Sequence, residues 1–363
     1  MKKFTKLALV SSLAVSANAM AMQAMDDASL GATTGQDGIN IGIGISKISI
    51  DKLYVHDNDG LSATAKNTVT GTSVTGVVAG VPTFAANAVV SDTAIAGGTG
   101  TAGAIVIKGN GVSKIVGGVE TNLVKDKALV ITANNSALLA SHNLADLQID
   151  SDAGTGTNGA FINIAAQVSG LTINIGEIGV TASNAVPTTG ATSIRRGGKD
   201  DAGTGQNYNA ILSGLTVKTG QMAANVQLGA APQGAMIKLE TVMKGGLEIT
   251  DLGILDNSTK AGLGDGTSAA NRAAGEIFIE SIKVADANST DLAIKQNISV
   301  VGKDDTSNGY IRMVSTSGPI DTYVKGIHLG SKTAGSIGDV EVQGLQTYST
   351  TGALGSIITI SGR

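Results

Sequence analysis

The sequence predicts an all-β protein, built as an irregular β-solenoid or β-helix-like stack, with a β-sandwich as the alternative. Three observations predict it. Apolar residues alternate without a break through Ile39, Ile41, Ile43 and Ile45, as one face of a strand requires. A second spacing, apolar-x-apolar-x-x-apolar-x-apolar, recurs along the chain. Finally, 50 of the 363 residues are Gly, while the aromatics are five Tyr, four Phe and no Trp. Small side chains suit sheets whose strands stack about 4.8 Å apart.

The elements follow in order. Ile39–Ile45 is the clearest strand, rich in β-branched residues that fit a pleated backbone. Similar runs recur at Leu171–Ile175, Leu215–Val217, Ile277–Ile279 and Ile357–Ile360. Turn clusters separate them at Asp57–Gly60, Asp152–Gly159, Gly197–Gly205 and Lys303–Gly309. One short helix is expected within Asn122–Leu147, where Leu138-Leu139 and Leu144-Ala145 fall. The second spacing appears at Ile43, Ile45, Ile48, Ile50, Leu53, Val55; at Ile173, Ile175, Ile178, Val180; at Leu247, Ile249, Leu252, Ile254; and at Ile277, Ile279, Ile282, Val284. Val340, Val342 and Leu345 begin it again. A flat strand would send the second pair of each unit to the opposite face. A β-bulge restores the register; so does a corner after each short strand, as in a solenoid. A weaker echo pairs Ser169-Gly170-Leu171-Thr172 with Ser213-Gly214-Leu215-Thr216, and Ala153–Gly156 with Ala202–Gly205. Loose duplication and low complexity both account for it.

Residues 1–19 form a secretory signal in this reading: Lys2, Lys3 and Lys6, an apolar core from Leu7 to Ala17, then Ala17-Asn18-Ala19 before the cut. Cuts after Ala21 or Ala24 are the alternatives. The core is too short to span a bilayer, which takes about 20 residues, and no later segment is long enough, so no helical membrane span is expected. The mature chain, 20–363, reads as one elongated β-rich domain with a less regular Ala/Gly/Thr-rich segment near 60–125. Its net charge is −7, against −4 for the whole chain. An outer-membrane barrel ranks lower, because aromatics are too few for two girdles and the last residue is Arg363.

The composition restricts chemistry. Without Cys there is no disulfide, thiolate metal site or Cys nucleophile. Three His (His56, His142, His328) leave little for acid–base work, and a pI of about 5.4 gives no footprint for nucleic acid. Gly98–Gly103 and Gly154–Gly159 match G-x-G-x-x-G, but a dinucleotide site needs a helix next; strands are expected after both. Asp57-x-Asp59-Gly60 and Asp150-x-Asp152 resemble fragments of calcium loops without the remaining ligands, and read as Asp/Gly turns. Asp200, Asp201, Arg195 and Arg196 are the residues a β-helix glycan enzyme would draw on; Arg195–Lys199 reads more simply as a solvated loop. No catalytic residue, cofactor or metal is assigned.

One stretch is familiar. Asp26-Asp27-x-Ser29-Leu30 followed by Thr34-Gly35-Gln36-Asp37-Gly38-Ile39, with the Met/Ala spacer Met20–Met25 and Asp57-x-Asp59-Gly60, resembles the FilA-type pilus system proteins of Acinetobacter. The specific likeness covers about residues 1–60. It implies an exported protein of the cell surface, with other filament subunits as partners and no catalytic residues to carry over. The chain lacks the Cys pair of chaperone–usher pilins and the long N-terminal helix of type IV pilins. The expectation is therefore a structural component or accessory of a pilus or filament system, at the surface or outer membrane, with the periplasm as the alternative and self-association open to it. An adhesin or glycan-binding module would group Tyr208, Tyr310, Tyr323 and Tyr348 on one face. A secreted polysaccharide-degrading enzyme would gather carboxylates and Arg in a groove. A structural protein would present a bare apolar edge or end.

Overall fold

The structure, a computed structural model, describes residues 38–64, 66–71, 74–78, 81–84, 88–156, 159–201, 207–305, 308–349 and 352–361. Residues 1–19, where a secretory signal is expected, and the Asp26–Asp37 part of the motif lie outside the described residues. The described chain is all-β: twenty strands form an eight-stranded and a twelve-stranded sheet, and the remaining strands make three two-stranded hairpins. The only helical turns among the described residues are 3-10 turns at Asn257–Thr259 and Ala269–Asn271.

The order of pairing shows how the chain builds this. It runs back and forth in eight rungs: 39–57, 103–152, 161–182, 208–229, 237–256, 275–301, 310–330 and 336–360. Each rung gives one strand to the eight-stranded sheet and a stretch to each half of the twelve-stranded sheet. The near half lies next in chain order to the eight-stranded sheet, and the far half beyond it. Where Leu171–Ile175 and Glu177–Ala182 are separate strands in the third rung, Leu247–Asp256 is one continuous strand in the fifth. Each rung pairs only with the rungs before and after it, and every pairing is antiparallel. The stack therefore advances rung by rung as a solenoid does, but the chain reverses at each step. Parallel coil-on-coil pairing is absent among the described residues, and large antiparallel sheets are the sandwich-like form of the expectation.

The reversal explains the irregular spacing of the motif. The chain passes from rung to rung alternately at the two flanks: after 152, 229 and 301 on one side, and after 182, 256 and 330 on the other. It also separates the two Ser-Gly-Leu-Thr echoes. Ser169–Thr172 turns between the eight-stranded sheet and the near half, whereas Ser213–Thr216 turns between the two halves of the other sheet. Antiparallel neighbours meet the same local turn at opposite corners. Part of the second echo, 202–205, lies outside the described residues.

The two-three-two spacing crosses the boundary between near and far halves. In Leu247–Asp256 the extra residue is Asp251, held at φ 59°; Asp tolerates this left-handed region better than most residues. The kink restores alternation, so Ile249 and Ile254 keep to one face. At the matching corner of the third rung stands Gly176. A Cβ there would overlap the carbonyl oxygen of Lys108 and lie 2.9 Å from that of Lys127.

Register converts the alternation into ladders. In the near half, Ile48, Ile131, Ile173, Val217, Ile249, Ile282, Val324 and Val340 stand directly opposite one another through all eight rungs. One residue away, on the other face, run Lys47, Thr132, Thr172, Lys218, Glu248, Lys283, Tyr323 and Glu341. Lys218 and Lys283 flank Glu248 at 3.1 and 3.6 Å. The eight-stranded sheet carries Ile39, Ile149, Ile164, Val226, Ile237, Ile298, Met313 and Ile358 in the same way. Each cross-strand pair contributes roughly 0.2–1 kcal/mol, so a ladder this deep stabilises the stack substantially.

These apolar faces stay half-exposed. In the far half, Ile254, Ile277 and Leu329 stand opposite one another and are 43, 45 and 51% exposed. Val130 and Val106 lie on the opposite face and are fully buried, and Lys108, on the same side of its strand as Val106, bonds to Asp200 of the segment 183–201.

The helix expected within Asn122–Leu147 is a correction. Leu129–Ala133 is a strand between two partners, Ala145–Asp152 is another, and the residues between turn tightly, with His142 at φ 59°. Leu139 is buried by a cap in which its amide donates to Ser169 Oγ at 3.0 Å, so its apolar neighbours mark a corner, not a helical face. Within 60–125, the strands Lys66–Gly71, Val74–Val78, Val81–Phe84 and Ala88–Ala94 form small hairpins apart from the main sheets, while Gly103–Lys108 belongs to the second rung.

Candidate functional site

The densest group of charged and phenolic side chains lies on the far half's outer face. Alternation puts Tyr54 and His56 there, opposite in facing to Leu53 and Val55; antiparallel register adds Val106, Lys108, Glu177 and Thr181. The segment Ser183–Asp201 folds over them. Its backbone is tied down where Ser183 N–H donates to Ala102 O at 3.1 Å and Lys199 N–H to Ala182 O at 2.9 Å.

Asp200 is the centre, its side chain fully buried. Tyr54 donates its hydroxyl to Oδ1 at 2.6 Å and Lys52 Nζ donates to Oδ2 at 2.9 Å. Lys52 also pairs with Asp201, whose side chain is 79% exposed. Lys108 Nζ donates to the Asp200 carbonyl at 3.0 Å and lies 3.7 Å above the Tyr208 ring, a cation–π contact. Tyr208 donates a hydrogen bond from its hydroxyl to Glu177 Oε1 at 2.6 Å. Its ring occupies the space over Gly179, where a Cβ would lie 2.6 Å from the phenol oxygen. His56 stacks on Tyr54 at 5.6 Å and bonds Ser183 Oγ at 2.8 Å.

The electrostatics follow from this geometry. Burial pushes the Asp200 carboxyl up, but the bonds from Tyr54 and Lys52 outweigh it and hold it below the usual range. Burial and the Asp200 carboxylate push the Tyr54 phenol up to about 12. Burial opposes charge on Lys52, yet its bonds to Asp201 and Asp200 raise its pKa. Burial and then Arg196 lower that of His56. Both Asp200 oxygens accept hydrogen bonds and each cation has an assigned partner. The arrangement fastens a loop to a sheet, and the carboxylate is held ionised by groups it in turn orients.

The sequence-flagged residues divide. Asp200 and Asp201 sit in this network. Arg196 lies beside it, donating Nε to Asn184 O at 2.7 Å and Nη1 to Asn58 Oδ1 at 2.6 Å, while Arg195 is exposed at the segment's tip. Lys52, Tyr54, Lys108, Glu177 and Tyr208 were not singled out in this role; their shared facing in the alternation was the available signal. Asp57 Oδ1 accepts from the amides of Asp59 and Gly60 at 3.4 and 3.3 Å, and Asp152 Oδ1 from Gly154 at 2.6 Å, the geometry of Asx turns. Among the described residues no group of three or more His, Asp or Glu converges as a metal site. Both glycine motifs lead into strands, Gly103–Lys108 and Phe161–Val168, though 157–158 lie outside the described residues. Tyr208, Tyr323 and Tyr310 belong to the far half, the near half and the eight-stranded sheet respectively, and Tyr348 follows the last strand of the near half.

A groove of about 390 Å³ lies where the 109–124 segment crosses the boundary between halves, lined by Asn122, Asn174, Glu177, Thr216, Asp251 and Lys332 among others. No helix among the described residues is long and apolar enough to cross a membrane. A model described as a family of unknown function (DUF6160) matches residues 1–98. No curated protein and no solved structure matches the chain.

Proposed function

We propose that this chain is an exported structural protein of the cell surface, a component or accessory of a pilus or filament system. The observation that carries the reading is the pair of open ends. The outer edges of the first rung and of the eighth pair with no strand among the described residues, and the strand Ser336–Leu345 is exposed along its whole length. Such edges are hazards in a solitary protein and docking surfaces in an assembled one. The Lys-rich, apolar N-terminus and the Thr-Gly-Gln-Asp-Gly motif support export and the filament association. The Asp200 network serves the scaffold in this reading.

Location tests it. Antibody against the mature chain is applied to sheared surface material, outer-membrane, periplasmic and medium fractions. Recovery from the sheared fraction in a high-mass assembly is expected. Recovery only as a soluble periplasmic monomer would overturn the reading.

A further inference from the structure

We infer that the chain assembles head to tail with a second copy of itself, the eighth rung of one copy docking antiparallel on the first rung of the next. The inference deepens the filament reading and rests on it. Three independent features of the ends point to this partner.

The first is direction. The first rung runs from the eight-stranded sheet outward to the far half, residues 39 to 57, and the eighth runs inward, residues 336 to 360. A strand added beyond the eighth rung must run outward again to stay antiparallel. The first rung of another copy has that direction, because the number of rungs is even.

The second is the ladders. Continuing the near-half register sets Val340 against Ile48 of the next copy, and continuing the eight-stranded sheet sets Ile358 against its Ile39. Both alignments extend apolar columns already eight residues deep. Ile39, Ile358 and Val340 are 60, 51 and 47% exposed in the single chain, so docking covers side chains that nothing described covers now.

Charge is the third. The same near-half register sets Glu341 against Lys47 of the next copy. Both side chains are exposed. The outer column already alternates Lys218, Glu248 and Lys283, and the junction would place another acid–base pair in it. Two eighth rungs paired antiparallel about a two-fold axis at Glu341 would instead bring Glu341 to Glu341, and two first rungs about Lys47 would bring Lys47 to Lys47, and neither pairing sets one eight-stranded sheet edge to edge with the other. Like charges directly opposite destabilise a sheet pair. The ends thus favour the heterologous contact, which propagates into an open filament, over the two-fold contact, which closes as a dimer.

The absence of Cys gives a clean test. The purified mature chain is made with Lys47→Cys, with Glu341→Cys and with both, then oxidised and run without reductant. The double variant is expected to give a ladder of covalent multimers. Each single variant should remain monomeric, and an equimolar mixture of the two should stop at dimers. Covalent dimers from Glu341→Cys or Lys47→Cys alone would overturn the head-to-tail contact, and so would a double variant that stays monomeric. A charge exchange checks the register without a cross-link. Lys47→Glu or Glu341→Lys should raise the concentration needed for sedimentable polymer about five- to tenfold, and the two together should restore it. If neither single variant shifts that concentration, or the wild type sediments as a monomer throughout, the contact is not made. High-mass surface assemblies containing this chain but lacking the 47–341 link would sink the inference and leave the surface reading standing. A cross-linking chain found only in the periplasm would do the reverse.

Discussion

Replacing Asp200 with Ala should release the segment Ser183–Asp201 from the far half without unfolding the stack. The substitution removes a fully buried carboxylate that accepts from Tyr54 and Lys52. Hydrogen bonds to a charged group contribute roughly 1.5–3 kcal/mol each. Lys52 keeps about a third of its side chain in solvent, so its share belongs at the low end, since exposed pairs are screened. The sum is about 3 kcal/mol, or roughly a hundredfold in the equilibrium between the fastened and released segment. Hydrogen exchange reads this directly. The amides of Ser183, Asn184 and Lys199 bond to backbone carbonyls at Ala102, Gly197 and Ala182 and should exchange about a hundredfold faster in Asp200→Ala. The strand Leu247–Asp256 should keep its protection. Asp201→Ala is the control, since that side chain is mostly exposed and pairs only with Lys52 among the bonds described; its effect should stay within about threefold. Unchanged protection in Asp200→Ala would refute the reasoning, because the segment would then be held by its backbone bonds alone.

Two further outcomes rest on the same geometry. Gly176→Ala should cost about 1–3 kcal/mol by overpacking against fixed backbone, read as a lower Tm, whereas Gly318→Ala, whose Cβ meets nothing within 4 Å, should stay within about 0.5 kcal/mol; equal effects would show that the corner relaxes freely. The network should loosen at both pH extremes. Asp200 is held low when folded, so its contribution is whole above the unfolded carboxyl pKa of about 3.9 and is lost as pH falls through the lower folded value. Tyr54 is raised to about 12, so its contribution is whole below the unfolded phenol pKa of about 10 and is lost as pH rises toward 12. Burial and Glu177 raise the Tyr208 phenol and Asp339 raises that of Tyr323, so tyrosinate absorbance should show a late-ionising component that Tyr54→Phe reduces by one tyrosine, and a titration unaltered by that substitution would refute the assignment.

Much of the fold was legible because a half-covered sheet writes a two-residue period into its strands. Leu171–Ile175 is a strand with the expected bounds, and the turn clusters at Asp57–Gly60, Asp152–Gly159 and Lys303–Gly309 fall where rungs end. Strand direction was not legible. Periodicity records which face a side chain takes and is blind to whether the next strand runs up or down, so a solenoid of parallel coils and a stack of reversing rungs share one pattern. Leu138-Leu139 misled for a related reason: an apolar pair at a capped corner and one on a helix look alike over so short a span. The Asp200 network was half visible. Asp200 and Asp201 stood out as acids beside a basic loop, but Tyr54 comes from 146 residues away, and only the pairing of its strand with Gly103–Lys108, and of that strand with Glu177–Ala182, brings it there.

That register has an energetic consequence for the ends. In a stack where each rung meets only its neighbours, stability is approximately a sum of rung terms and interface terms. The first and eighth rungs have one interface each, and the interior rungs have two. The exposure follows this arithmetic: Ser336–Leu345 is exposed throughout, whereas the long interior strands Leu292–Val301 and Gly275–Asp286 are mostly half-buried. The terminal rungs are thus the least stabilised part of the main sheets, and the apolar ladders supply no cap of different chemistry there. Val340 and Ile48 are the same kind of residue as the six between them. A repeat stack normally ends on a polar face to stay soluble; here the outer column ends on opposite charges while the inner column ends on bare aliphatic residues. Charge at each end discourages the edge from pairing with its own kind, and the aliphatic column gains from pairing with the other end. Both ladders therefore favour the same junction, and a copy added there would convert each terminal rung into an interior one.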